Sequence, residues 1–292
     1  IKDQRPDAVV VAFDRPEPTF RHEMLPEYKA QREATPDLLI QQFGLVREVL
    51  EALNIPSVEM VGFEADDLLA TMAVRVSDNK DEAIIVTGDR DIYQMVKDPF
   101  IRVLYNRRGV SDYALYDEDG ILDRTGVAPS LYPQYAALRG DPSDNLPGVP
   151  GVGEKTAAKL INSYGGLDGI FENAQEQTPK LRQNLEEFED RARKNLDAMV
   201  LRTDVPLEVD FAAATWGDVK TEEVQRLFGL LEFNSLYERL REILGDALPA
   251  DESSKSVLEA EPLTMASVPE CRDMLASLLE SPDPVSLGWA TD

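Results

Sequence analysis

Continuous apolar runs alternate with amphipathic stretches along the first half of the chain. Val9-Val10-Val11-Ala12-Phe13 is an unbroken apolar run that stops at Asp14, the pattern of a strand buried on both faces of a parallel sheet. Pro16 and Pro18 break the chain after it. Over residues 37–53, Leu38, Leu39, Phe43, Val46, Val49, Leu50 and Leu53 recur at helical spacing, and Asn54-Ile55-Pro56 ends that helix. A second helix is predicted from about Ala65 to Val76, with Leu68, Leu69, Met72 and Ala73 turned inward. Ala83-Ile84-Ile85-Val86-Thr87 reads as another buried strand, closed by Gly88-Asp89, and Ile101 to Tyr105 as a third. Strands alternating with helices imply an α/β fold with a mostly parallel central sheet flanked by helices.

The pattern changes after residue 128. Residues 129–245 read as helices joined by Gly- and Pro-rich turns, without a convincing strand. Residues 246–262 are acidic and rich in Ser and Ala, the composition of a linker. Residues 263–292 begin something new: a strand, a helix carrying Met274, Leu275, Leu278 and Leu279, then Val285 to Trp289. Thirty residues cannot bury a core alone, so this segment is expected to open a further domain. Ile1 to Gln4 read as the tail of a preceding element.

Composition narrows the chemistry. No run approaches the length of a membrane helix, and no signal peptide pattern follows the charged first residues. A lone cysteine, Cys271, excludes an internal disulfide framework and fits a reducing cytosol. The single histidine, His22, leaves a Ser-His-Asp triad or a His/Cys zinc site almost without material. The net charge of −25 opposes the basic footprint expected of a nucleic-acid binder. Either no polyanion binds, or bound metal offsets many acids while local basic patches handle phosphates.

The acids fall at special places. Asp14 ends the first strand, Glu64-Ala65-Asp66-Asp67 opens a helix, Asp89 and Asp91 follow the second strand, and Asp141 and Asp144 sit in the turn Gly140-Asp141-Pro142-Ser143-Asp144-Asn145. In an open parallel sheet, ligand sites form outside the carboxyl ends of the strands. Each acid alone is explained as a helix cap or a turn former. Together at one sheet edge they would repel unless cations neutralise them. Oxygen donors without His or Cys favour Mg²⁺ or Mn²⁺ over Zn²⁺. Two such ions, roughly 4 Å apart, would activate a water and stabilise the leaving oxygen of a phosphodiester.

Gly148-Val149-Pro150-Gly151-Val152-Gly153-Glu154-Lys155-Thr156 is neither a P-loop, since Glu154 separates Gly153 from Lys155, nor a dinucleotide fingerprint. It reads as a glycine hairpin leading into a helix whose free amides face an anion. A tight interhelical turn explains the same residues, but a helix-hairpin-helix gripping a DNA backbone fits the glycine spacing. Thr19-Phe20-Arg21-His22 and Tyr28-Lys29-Ala30-Gln31-Arg32 mix bases with aromatics, as in single-strand binders or in an ordinary solvated loop.

In order, AFDRPEPTFRHE, YKAQR, GFEADDLLAT, VTGDRDIYQMV and ALRGDPSDNLPGVPGVGEKTAAKL resemble the 5′ nuclease domains of bacterial DNA polymerase I, in the flap endonuclease family, over about residues 8–245. The resemblance implies a nuclease core with a helical arch over 1–128 and a helical DNA-binding subdomain over 129–245. It makes Asp14, Glu64, Asp66, Asp67, Asp89, Asp91, Asp141 and Asp144 metal positions, binding two or more Mg²⁺ or Mn²⁺ ions. It places Arg21, Tyr28, Lys29 and Arg32 in the arch through which a 5′ flap passes, with Lys29 and Arg32 orienting the phosphate. It assigns Gly148, Gly151, Gly153, Lys155 and Thr156 to a helix-hairpin-helix that often holds K⁺ against a phosphate. The family's opening strand, with its first metal-binding Asp, would precede Ile1, so a chain truly starting there is expected to be weakly active or inactive. Residues 263–292 resemble the start of a 3′–5′ exonuclease-like domain. Gly288 and Ala290 stand where active members carry Asp-x-Glu, so that domain is expected to be inactive.

The implied function is a structure-specific 5′–3′ exonuclease and flap endonuclease. It would act on DNA flaps, nicks and RNA primers during replication and repair. The chain would be a monomer in the bacterial cytoplasm beside the nucleoid, on one polypeptide with a polymerase and without a membrane partner. The alternatives are a DNA-docking module with a dead nuclease site and a stand-alone exonuclease.

Overall fold

The computed structural model describes residues 3–108, 112–215, 217–245 and the isolated positions 248, 267, 269, 272 and 276. The readings made for the linker at 246–262 and for the strand and helix at 263–292 lie outside the described residues. Residues up to 247 cluster as one unit, separate from the remainder.

The first apolar run forms only a short strand, β1 (Val11–Ala12), parallel to β2 (Ser57–Val58). Amides on either side extend the pairing, Val11 donating to the Pro56 carbonyl and Phe13 to the Val58 carbonyl. The second run forms β3 (Ala83–Thr87), parallel to β4 (Ile101–Arg108) from Ala83↔Ile101 to Thr87↔Tyr105. β5 (Asp112–Tyr116) then pairs antiparallel with β4. The sheet of β3, β4 and β5 is therefore mixed, where a mostly parallel one was expected. β5 escaped the sequence pattern because only Tyr116 of its residues is buried, which hides the apolar face of an edge strand. β3 is itself open on one side, with Val86 65% exposed, against the expectation of burial on both faces.

α2 (Asp37–Ala52) and α3 (Ala65–Asp78) lie close to their predicted bounds, and a short helix that the pattern did not predict, α1 (Phe20–Met24), precedes them. α3 is held between two apolar clusters. Leu68 and Met72 meet Val205 and Leu207 on one side, while Ala70 and Ala73 face the cluster that contains Ile85, Ile92 and Val103. α2 departs from expectation, because Leu38, Leu39, Phe43 and Val46 are exposed rather than inward. Its C-terminal end is the part fastened down: Ala52 is buried and its carbonyl accepts from the Lys220 amide.

Beyond α4 (Glu118–Thr125) the chain is helical, through α5 (Tyr132–Arg139), α6 (Glu154–Tyr164), α7 (Leu167–Glu172), α8 (Pro179–Met199), α9 (Thr221–Leu230) and α10 (Asn234–Leu244). The two-residue strands β6 (Gly140–Asp141) and β7 (Leu146–Pro147) close the turn after α5. One buried cluster runs from Tyr28 through Ile85 and Ile121 to Leu160 and Leu185, so the helical half and the sheet half share a core.

Candidate metal and nucleic-acid site

Strand ends, one helix start and one turn bring the acids together. Asp14 follows β1, Asp89 and Asp91 follow β3, and the helix start Glu64 to Asp67 follows β2. The β6–β7 turn brings Asp141 and Asp144 from the helical half, and several bonds zip it to residues 27–32. Asn145 Nδ2 donates to the Glu27 carbonyl at 2.7 Å, the Lys29 amide to the Asp144 carbonyl at 3.0 Å, and Gln31 Nε2 to the carbonyls of Pro142 and Ser143, each at 3.1 Å.

The capping role open to each acid is realised at several of them. Asp14 Oδ1 accepts from the Ala65 amide at 2.7 Å, at the start of α3. Asp89 Oδ1 accepts from the Asp91 amide, and Asp141 Oδ1 from the amide and hydroxyl of Ser143. These bonds fix one oxygen of each carboxylate and so aim the whole group.

The acids bear on one another electrostatically. Burial, reinforced by Asp89, Asp14 and Glu64, pushes the Asp66 carboxyl up to about 7. Burial raises Asp91 well above the ordinary carboxylate range, with further upward pressure from Asp89, Asp144, Asp141 and Asp66. Asp144 is also raised, chiefly by burial, against the pull of Lys29, the Tyr28 hydroxyl and Arg32. Asp14, Glu64, Asp66, Asp89, Asp91, Asp141 and Asp144 thus share one field. Among the described residues, no three carboxylates stand close enough to hold one ion as placed. Cationic side chains meet three of them instead: Lys29 Nζ lies 2.8 Å from Glu64 Oε1, Arg32 Nη2 2.7 Å from Asp144 Oδ1, and Arg139 Nη2 3.7 Å from Asp141 Oδ2. Lys29 is held with a left-handed backbone, φ 53°, a conformation that costs free energy in a non-glycine residue.

Asp67 is a correction to the expected metal set. It is fully buried, and both of its oxygens are spoken for. Arg21 grips it with two bonds of 2.7 and 2.8 Å, and the amides of Arg202 and Glu64 add bonds of 2.9 and 3.0 Å. Arg21 is corrected with it: 2% exposed, and donating also to the Ala198 carbonyl, it cannot reach a flap. Tyr28 is likewise no stacking platform. It is buried against His22, with its hydroxyl 3.0 Å from both Glu64 Oε2 and Asp144 Oδ2.

The glycine hairpin stands beside the cluster. Gly151 takes φ 80° and Gly153 caps α6, whose Ala157, Leu160 and Ile161 are buried and whose Lys155 is exposed. Thr156 lies next to Lys155, half-buried, in the same first turn. The first amides of a helix have no partner within it. Gly148 belongs to the scaffold instead of the hairpin's outer surface, since a Cβ there would lie 2.3 Å from the Arg139 carbonyl carbon. Two buried asparagines of α8, unnoticed in the sequence, hold the hairpin: Asn184 Nδ2 donates to the Pro150 carbonyl at 2.7 Å and Asn195 Nδ2 to that of Pro147 at 3.0 Å. Their only sequence signal is amide side chains on the apolar face of an amphipathic helix.

Comparison with known proteins agrees with this architecture. Residues 1–126 match the family described as 5′-3′ exonuclease, N-terminal resolvase-like domain, and residues 127–222 its C-terminal SAM fold. The DNA polymerase I of Mycobacterium bovis is 41% identical over 247 residues, which is 85% of this chain and 27% of that protein. The Bacillus subtilis DNA polymerase I is 36% identical over 248 residues, 85% of this chain and 28% of that protein. The chain thus spans about a quarter of the length of these relatives. Among solved structures, the bacteriophage T5 flap endonuclease in a pseudo-enzyme-product complex with DNA and metal ions superposes with TM-score 0.60. It is 24% identical, over 79% of this chain and 86% of that one. T5 5′-exonuclease with bound zinc ions gives TM-score 0.60 at 24% identity, covering 78% and 86%.

Proposed function

The chain belongs to the 5′-3′ exonuclease family, and on that premise we propose that it is a metal-dependent 5′ nuclease hydrolysing phosphodiesters near 5′ ends and flap junctions of DNA. The observation that carries this reading is the single electrostatic cluster of Asp14, Glu64, Asp66, Asp89, Asp91, Asp141 and Asp144. Its donors are all carboxylate oxygens, which suits Mg²⁺ or Mn²⁺. These residues would hold the ions, and a bound cation would let the mutually repelling groups close together. The ions would supply a nucleophilic water and neutralise charge at the scissile phosphate.

The protein's own groups do the rest. Lys29 and Arg32 reach the cluster rim where the phosphate would arrive, each already neutralising an acid there. Gly151, Gly153, Lys155 and Thr156 would present amides and positive charge to a duplex backbone, and the hairpin would be the place for a K⁺ against a phosphate. Such contacts read shape, not sequence. Tyr28 and the Arg21–Asp67 pair fix the cluster from beneath. The relatives carry the name DNA polymerase I, so we infer a polymerase on the same polypeptide and a role in primer removal and repair.

The rival reading is a docking module with a dead site. Cleavage and binding of a 5′-flap substrate separate the two. Asp141→Asn should abolish Mg²⁺-dependent cleavage and retain binding, whereas cleavage at the wild-type rate would remove Asp141 from the site. Absence of cleavage by the wild-type polypeptide alongside intact binding would favour the docking module.

A further inference from the structure

Between the acidic cluster and the hairpin lies an open cleft of about 570 Å³, whose lining includes Gly88, Arg90, Tyr105, Arg139, Gly153 and Glu154. Asp89 and Asp141 of the acidic cluster line the same cleft. Arg139 is built into place: its side chain is 14% exposed, stacks 5.3 Å over Tyr135, and donates through Nε to the Gly140 carbonyl at 3.1 Å. Arg139 also bonds the Tyr135 side chain and Arg90 the Tyr105 side chain, while the contacts of both guanidinium groups to carboxylates are long. Arg139 Nη1 lies 3.6 Å from Glu154 Oε1, and Nη2 3.7 Å from Asp141 Oδ2. Arg90 Nη1 lies 3.5 Å from the same Glu154 oxygen. Two guanidinium forks therefore share one oxygen of an exposed carboxylate, beyond the roughly 2.7–2.9 Å of a strong charge-assisted bond. The Arg21–Asp67 pair shows the satisfied form in the same molecule, with two bonds of 2.7 and 2.8 Å.

We propose that Arg90 and Arg139 form a phosphate seat for the DNA strand running from the cut site to the hairpin, with Glu154 as an internal stand-in that the phosphate displaces. This rests on the nuclease reading above. A phosphodiester can turn one free oxygen to each fork, whereas Glu154 presents only Oε1 to both, so it matches two planar forks better than a shared monodentate contact does. The seat would fix the strand's register between the metal site and the helix-hairpin-helix.

The simple alternative is a structural staple tying α6 to the β3 end, and Glu154→Gln distinguishes the two by sign. The measurement is the dissociation constant of a 5′-flap duplex in EDTA across a KCl series. Arg90→Met, at a half-exposed position that folding tolerates, should raise Kd about tenfold and lower the salt slope by about 0.9. Arg139→Met should do the same where thermal melting shows it folded. Glu154→Gln should tighten binding about threefold, and this gain should vanish in the Arg90→Met/Arg139→Met background. Wild-type Kd and slope for Arg90→Met, weaker binding by Glu154→Gln, or a gain that persists without the arginines would each overturn the seat. A wild-type chain that binds no flap DNA would overturn the nuclease reading first. Wild-type binding with unaffected variants overturns the seat alone.

Discussion

Asp67→Asn separates a structural carboxylate from a metal ligand. The native group accepts four hydrogen bonds and is fully buried, and its partner Arg21 is 2% exposed. Replacing one carboxylate oxygen by an amide turns two acceptors toward the guanidinium into one acceptor and one opposed donor. The arginine stays charged in a buried site, a change that costs about 3–5 kcal/mol when a buried pair is broken. Glu64 softens the loss, because its Oε2 lies 3.5 Å from Arg21 Nη1, which places the expected cost near the lower end, about 3 kcal/mol. That is a large share of the roughly 5–15 kcal/mol that holds an ordinary domain together. Urea unfolding in EDTA and again in Mg²⁺ measures it, with the same decrement expected in both. Arg21→Met should cost a similar amount, and the double variant less than the sum, since the two residues form one network. A loss under about 1 kcal/mol in EDTA, with Mg²⁺ stabilisation abolished, would refute this account and return Asp67 to the metal set.

Stability of the metal-free protein should fall as pH rises from about 4 toward and past 7. Asp66, raised to about 7, keeps in the folded state a proton that the unfolded chain releases near the ordinary value of 3.8. Thermal melts in EDTA check this, with Mn²⁺ expected to flatten the slope; a melting point that climbs over that range would contradict it. Gly148→Ala should destabilise the fold by more than about 1–3 kcal/mol, because its Cβ would sit 2.3 Å from the Arg139 carbonyl group and 2.5 Å from the Gly140 amide nitrogen. A melting point equal to the wild type would refute the close approach.

What the sequence showed depended on range. The acids at Asp14, Asp89 and Asp91 were legible because apolar runs mark strands and strand ends mark sites. The α3 register and the glycine hairpin were legible from local spacing. Asp67 was misassigned because its neighbours in sequence are acids, while the partner that decides its role, Arg21, lies far back along the chain in α1. Tyr28 and Arg21 looked like exposed arch residues because a mixed basic and aromatic segment carries no periodicity to report burial. Arg90 and Arg139 were hidden because Arg90 sits between two acids, Arg139 stands two residues before a third, and only the fold turns both toward one cleft. The exposed N-terminal half of α2 shows the converse limit, since helical spacing predicts a face and not what covers it.

The central claim, a carboxylate cluster that binds divalent metal, is tested most directly by calorimetric titration of Mn²⁺ into the wild type, Asp66→Asn and Asp67→Asn. The account predicts saturable binding by the wild type, weakened more than about tenfold by Asp66→Asn and retained by whatever fraction of Asp67→Asn remains folded. No binding by the folded wild type, or equal binding by Asp66→Asn, would contradict it.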